Sequence, residues 1–204
     1  MAELELAELL PSRAEEPSDG TTDRILDAAL KETAAAGLRR LTVEDVVRRA
    51  GVARMTVYRR YPRREDLVQA LVTRETQRFL KAVAEGNLRG ADPVDSLVEA
   101  FVAAVEFTRS HPMLRWAREA EPGWVIEGVA ADDARLLGTG SAFIARYIHG
   151  DRPGPPSRRA RWIADVWARL FITYVAVPPT DPDFASDREL RRFAREVLAP
   201  MVTR

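Results

Sequence analysis

From residue 22 to residue 199 apolar side chains recur three or four positions apart, and no stretch alternates apolar with polar as a half-buried strand would. That single periodicity restricts the chain to an all-α architecture. Ile25/Ala29 and Leu26/Leu30 pair at i,i+4 behind Thr22, a capping residue, and Gly37 offers a left-handed stop. The spacing predicts further helices over about 42–50, 53–61, 63–83, 93–108, 113–120, 125–149, 157–177 and 188–199, that over 125–149 with a break near Gly138-Thr139-Gly140. His111-Pro112 marks a helix break. Residues 1–20, interrupted by Pro11, Pro17 and Gly20, read as an acidic flexible tail. At 204 residues the chain holds one or two domains.

Composition removes whole function classes. There is no cysteine, so disulfide scaffolds, thiolate metal sites and cysteine nucleophiles are excluded together. His111 and His149 are too few for a histidine-rich metal centre. No Gly-x-Ser-x-Gly, His-Glu-x-x-His or P-loop pattern occurs, so neither catalysis nor a cofactor or metal is expected. Gly138-Thr139-Gly140-Ser141 lacks the lysine and the preceding strand of a phosphate loop. No apolar run approaches the ~18 residues of a membrane span, and the N-terminus lacks a signal peptide's basic region. A cytoplasmic protein is expected.

The net charge is zero but unevenly placed. Residues 1–20 hold six acids against Arg13, whereas residues 39–64 hold nine arginines opposed by Glu44 and Asp45 alone. A +7 segment in a neutral chain is either a solvated face or a footprint for polyanion. The local pattern favours the second. Thr42-Val43-Glu44-Asp45 is a capping-box variant with Asp in the Glu role, stapled by Leu41 onto Val46. Gly51 ends that helix, and a short one follows from Ala53 to Tyr61 before Pro62 forces a new start. Two short helices around a glycine corner form a helix-turn-helix, whose second helix enters a major groove. Val57 is its inward residue, leaving Arg54, Met55, Thr56, Tyr58, Arg59 and Arg60 on the surface for phosphates and base edges.

The stretches Asp23–Ala28, Leu41–Val47, Ala50–Pro62 and Arg64–Leu67 resemble, in order and spacing, the DNA-binding domain of the TetR family of transcriptional regulators. The resemblance implies a three-helix DNA-binding domain over 21–66 and a ligand-binding and dimerisation domain over 67–204, about nine helices in all. It implies a homodimeric repressor that binds a palindromic double-stranded DNA operator and encloses a small-molecule pocket. On this basis Thr42, Thr56, Tyr58, Arg60 and Arg64 fall at phosphate-contacting positions, and Arg54, Met55 and Arg59 at positions facing bases or groove walls. The sequence departs from the family at Ala53, which replaces a capping Ser, and at Arg64, which replaces a Lys.

The expected pocket lies among the later helices. Its candidate lining is Phe101, Val105, Met113, Trp116, Trp124, Phe143, Tyr147, Trp167, Phe171 and Tyr174, of which the last three recur at i, i+4, i+7. Such a lining suits a small apolar effector such as a fatty acid or acyl thioester. Arg109, His111, Arg115 and Arg169 are candidate anchors for a carboxylate. Trp162 and Phe193 are candidates for a dimer seam. Two other readings fit part of the pattern: a DNA-binding regulator or chromosome-organising protein without an effector, and a helical protein whose arginines bind an acidic partner.

Overall fold

A computed structural model describes residues 20–120, 123, 135–150, 152–176 and 186–203. All regular structure among them is helical: α1 (Gly20–Ala36), a 3₁₀ turn (Leu38–Arg40), α2 (Val43–Ala50), α3 (Arg54–Arg60), α4 (Arg64–Asn87), α5 (Pro93–Ser110), α6 (Pro112–Ala120), α7 (Arg135–His149), α8 (Arg158–Ala176), α9 (Asp187–Phe193) and α10 (Ala199–Thr203). A π-helical turn, Ala194–Leu198, joins the last two into one rod, so the described residues form nine helical rods.

The helix boundaries follow the punctuation of the sequence. Thr42, in extended backbone, accepts a hydrogen bond from the Asp45 amide at 3.1 Å, and its hydroxyl donates to the Asp45 carboxylate at 2.5 Å. Gly51 closes α2 in the left-handed conformation, φ 62° and ψ 34°, which glycine alone adopts at no steric cost. Ala53 starts α3 with no side-chain cap. Asp92 caps α5 through the Val94 and Asp95 amides at 2.8 Å, with Pro93 in the first turn. The expected break at Gly138–Gly140 does not occur: α7 runs unbroken through both glycines. Glycine costs a helix only about 1 kcal/mol relative to alanine, which the apolar face of α7 outweighs. The predicted segment 125–134 and Trp124 lie outside the described residues.

Two cores form. The N-terminal one joins Ile25, Leu26, Ala28, Ala29, Leu41, Val43, Val46, Ala50 and Val57 to Leu67 and Leu71 of α4. The first two turns of α4 are therefore part of the head. The second core joins Leu97, Val98, Phe101, Val102 and Trp167 to Leu190, Ala194, Leu198 and Ala199 of the C-terminal rod. Arg191 grips Glu99 in a bidentate pair at 2.7 and 3.0 Å, and Arg195 reaches Asp95, which fixes that rod on α5.

Candidate nucleic-acid interface and ligand cavity

The helix-turn-helix is held by polar clamps as well as by its core. Arg24 of α1 donates to the Ala50 and Gly51 carbonyls at 2.9 and 3.0 Å, which fixes the corner between α2 and α3. Arg64 donates to the carbonyls of Leu41 at 2.8 Å, Leu38 at 2.5 Å and Arg39 at 3.3 Å. Its planar fork satisfies three carbonyls at once, which an ammonium could not match geometrically. The residue expected to meet phosphate is thus also a clamp on the turn leading into α2.

On α3, Val57 is fully buried and Met55 is 78% exposed, as the amphipathic reading requires. Arg54 and Arg59 are exposed; Thr56, Tyr58 and Arg60 are half-buried. One acid organises this face. Glu44 accepts from the Tyr58 hydroxyl at 2.6 Å and from Arg54 at 3.1 Å, and Arg54 lies 5.2 Å from the Tyr58 ring centre. The Tyr58 hydrogen bond, with a backbone hydrogen bond, holds the Glu44 carboxyl below its ordinary range. Much of the +7 segment is internally engaged in the same way: Arg48 with Asp45, Arg49 with Glu32 and Arg63 with Asp66. Exposed pairs of this kind are weak and open readily to a competing phosphate.

Beyond the head, α4, α5, α7 and α8 enclose a cavity of about 460 Å³, inside the range typical of small-molecule sites. On α4 its wall runs from Val72 through Thr76, Phe79 and Val83 to Asn87, a rise of about 22 Å. Seven of the ten expected lining residues are there: Phe101, Met113, Phe143, Tyr147, Trp167, Phe171 and Tyr174. Val105 and Trp116 are not. Val105 packs into the Leu97–Trp167 core, one residue round the helix from the cavity-facing Ala104. Trp116 instead lies against the head. A Cβ on Gly37, which sits at φ 85°, would come within 2.1 Å of the Trp116 ring. The glycine is required both by the backbone angle and by the indole.

Sequence reasoning missed α4 as a cavity wall and missed Leu38, a head residue that also lines the cavity. The spacing Val72, Thr76, Phe79, Val83 was available as a signal; the side on which the later helices pack was not. Of the four expected anchors, His111 alone lines the cavity. Arg169 pairs on the surface with Asp165, and Arg115 is exposed. His111 is 6% exposed, and its Nε2 lies 3.1 Å from Oε2 of Glu75, itself 5% exposed. Burial alone would raise the Glu75 carboxyl. The hydrogen bonds from His111 and Arg74 outweigh it and hold the group below its ordinary range. Arg74 also reaches Asp27 of α1 at 2.8 Å.

Of the expected seam residues, Trp162 is 66% exposed, and Val166 and Leu170 follow it at four-residue intervals, also exposed. Phe193 is half-buried against Phe101 and Tyr174 of the same chain.

A glycine-cornered helix pair with an exposed, arginine-rich second helix, set on a closed three-helix core, defines a helix-turn-helix DNA-binding regulator. Residues 25–71 match the family model for bacterial regulatory proteins, tetR family. An uncharacterized HTH-type transcriptional regulator of Mycobacterium tuberculosis is 26% identical over 182 residues, spanning 89% of this chain and 85% of the relative. Among solved structures, the TetR family repressor AlkX from Dietzia sp. strain DQ12-45-1b, implicated in biodegradation of n-alkanes, shares the fold. Its TM-score is 0.63 and its identity 22%, over 88% of this chain and 96% of that one. The fatty acid degradation regulator FadR from Bacillus halodurans follows at a TM-score of 0.54 and 16% identity, over 86% and 98% of the two chains. Residues 25–71 thus match the DNA-binding domain of the tetR family, and the chain is similar over most of its length to HTH-type transcriptional regulators of the same fold. Among the described residues no helix is long and apolar enough to cross a membrane.

Proposed function

We propose that the chain is a homodimeric cytoplasmic repressor that leaves a palindromic DNA operator when a small apolar ligand, such as a fatty acid or acyl thioester, enters its cavity. The observation that carries this reading is the cavity itself. It is apolar, elongated and continuous with the head through α4, whose Leu67 and Leu71 are buried in the DNA-binding core. A regulator without an effector would gain stability by filling such a space, since interiors are otherwise close-packed. The names of AlkX and FadR, both concerned with hydrocarbon-chain metabolism, point the same way.

The contacts supply a route. A ligand acts only through a difference in affinity between two states. Occupying the cavity would bear on Phe79 and Val83 of α4, on Leu38 of the 3₁₀ turn, and on α6, whose Trp116 abuts Gly37. The elements that carry them, α4, the 3₁₀ turn and α6, each contact α1 of the head, so a shift in the wall reorients it as a unit. A hundredfold loss of operator affinity needs about 2.7 kcal/mol of coupling, within the usual ~1–3 kcal/mol.

Dimerisation is proposed through α8 and the C-terminal rod, where Trp162, Val166 and Val197 stand exposed on a single chain. Paired recognition helices would then read successive major grooves about 34 Å apart. The test is a gel-shift titration of hexadecanoic acid into the operator complex. Release with a dimer retained is expected; no release by hexadecanoic acid or its thioester would overturn the effector reading.

A further inference from the structure

Among the described residues, the buried side-chain polar atoms without a hydrogen-bond partner include Nδ1 of His111 and Nε1 of Trp167, both on residues of the cavity wall. Native interiors leave few such atoms, and each asks for a cause, an unplaced ligand being one. His111 is the more informative of the two. Its Nε2 faces a carboxylate oxygen of Glu75, which can only accept, so Nε2 carries the hydrogen. Nδ1 is then left as a buried acceptor in the neutral ring, or as a second donor in the protonated one. The imidazole is held in place by Phe107, stacked at 5.1 Å, as well as by Glu75. The other polar end of the cavity makes no comparable demand. There the Tyr147 hydroxyl donates to Oδ1 of Asn87 at 2.6 Å, and the two groups satisfy one another. Glu75 and Asn87 are twelve residues apart on α4, about 18 Å.

We infer that the ligand carries a single oxygen head with an exchangeable proton, a hydroxyl or a carboxyl, that hydrogen-bonds His111 Nδ1, and that its hydrocarbon chain lies along α4 towards Tyr147. This rests on the effector reading above and narrows it. A hydroxyl or protonated carboxyl donates to Nδ1; a carboxylate accepts from it when the ring is protonated. An ester or thioester has no proton to give to the neutral ring, so the free acid or alcohol is favoured over the thioester. An unsubstituted alkane leaves Nδ1 unpaired and is disfavoured for the same reason. The ligand's oxygen would be linked to Glu75 through the His111 ring, by one hydrogen bond on each side of it, and Glu75 is joined through Arg74 to Asp27 of the DNA-binding head.

Isothermal titration of the full chain with hexadecanoic acid, hexadecan-1-ol and methyl hexadecanoate tests this. The acid and alcohol are expected to bind at least tenfold more tightly than the methyl ester. His111→Phe should remove that preference while leaving ester binding intact. His111→Gln, which keeps an amide donor for Glu75 in the event that the Phe variant misfolds, should reduce it. Trp167→Phe and Tyr147→Phe should preserve it. Equal binding of the three probes by the unaltered chain overturns the head-group assignment and leaves the effector reading standing. A preference that survives both His111 variants, or disappears in Trp167→Phe or Tyr147→Phe, overturns the assignment to His111. No binding of any probe overturns both readings together.

Discussion

In the head, Ile25, Ala29, Val46, Val57, Leu67 and Leu71 are wholly shielded, whereas further along α4, Phe79 and Val83 look onto about 460 Å³ of space. The same helix thus serves a filled core at one end and a hollow one at the other. A filled core resists deformation and moves as a body; a hollow one can rearrange its wall at lower cost. DNA recognition requires the first property, because base readout depends on fixed geometry. Ligand response requires the second. Placing both on one continuous helix would couple them, in the function proposed above, without a hinge in between.

The largest effect expected from this contrast is on stability. Leu67→Ala should cost about 2–5 kcal/mol, because it opens a void in a closed core. Phe143→Ala, which enlarges a space already present, should cost clearly less. Ala104→Trp should fold, dimerise and bind operator but lose its response to hexadecanoic acid, since Ala104 faces the cavity. Denaturant titration compares the first two variants, and a gel-shift titration with hexadecanoic acid tests the third. Equal losses from Leu67→Ala and Phe143→Ala would erase the distinction between the two cores.

A second set of variants sharpens the head's own division of labour. Arg54→Ala should reduce discrimination at one base position by ~1–3 kcal/mol. Tyr58→Phe should weaken binding to all sequences alike, because phosphates carry no sequence information. Glu44→Gln should raise affinity by loosening the hold on Arg54 and Tyr58, the Tyr58 share for all sequences alike and the Arg54 share chiefly at the base position it reads. Binding to a randomised operator library measures all three. A uniform loss in Arg54→Ala would remove it from the base readers.

Arg64 separates clamping from phosphate contact. Arg64→Lys keeps the charge but cannot span the carbonyls of Leu38, Arg39 and Leu41. It should lower stability by ~0.5–1.5 kcal/mol while preserving the salt dependence of DNA binding. Arg64→Ala should lower both, with the salt slope falling by about one unit. A salt slope unchanged in Arg64→Ala would leave Arg64 as a clamp alone.

The two regions also differ in how far the sequence revealed them. The head is written locally. Thr42 and Asp45 lie three residues apart, Gly51 follows the last turn of α2, and Val57 is the inward residue of a seven-residue helix. Each signal acts within one turn of its neighbour, so reading along the chain finds it. The cavity is written non-locally. Phe79 faces Phe171, 92 positions away, and stacks on it at 5.3 Å. An aromatic stripe on α8 could be recognised as apolar, but which of its neighbours turned inward depended on how α4 and α5 lay against it. That is why the spacing points to Val105 where its neighbour Ala104 faces the cavity, and to Trp116, which instead closes on Gly37. The clamps of Arg24 and Arg64 were hidden for the same reason: each reaches more than twenty residues to a carbonyl.

The smallest effect expected is on pH dependence, and it too divides by region. Glu75, between the cavity and the head, has its carboxyl lowered from 4.5 because His111 and Arg74 outweigh its burial. A lowered acid stabilises the fold above the unfolded value, and that contribution fades as pH falls from about 4.5 through the folded value. Glu106, facing the C-terminal rod, is raised by burial and by the neighbouring Asp187. Its contribution has the opposite sign: full below about 4.5 and lost as pH rises through the raised folded value. Glu75→Gln should therefore flatten the acid limb of the stability profile below pH ~4.5. Glu106→Gln should remove a shallow loss of stability as pH rises just above it and leave the limb below unchanged. Thermal melts between pH 3 and 7 distinguish the two. An acid limb unaltered in Glu75→Gln would mean that the buried pair with His111 is not what ties the cavity wall to the head.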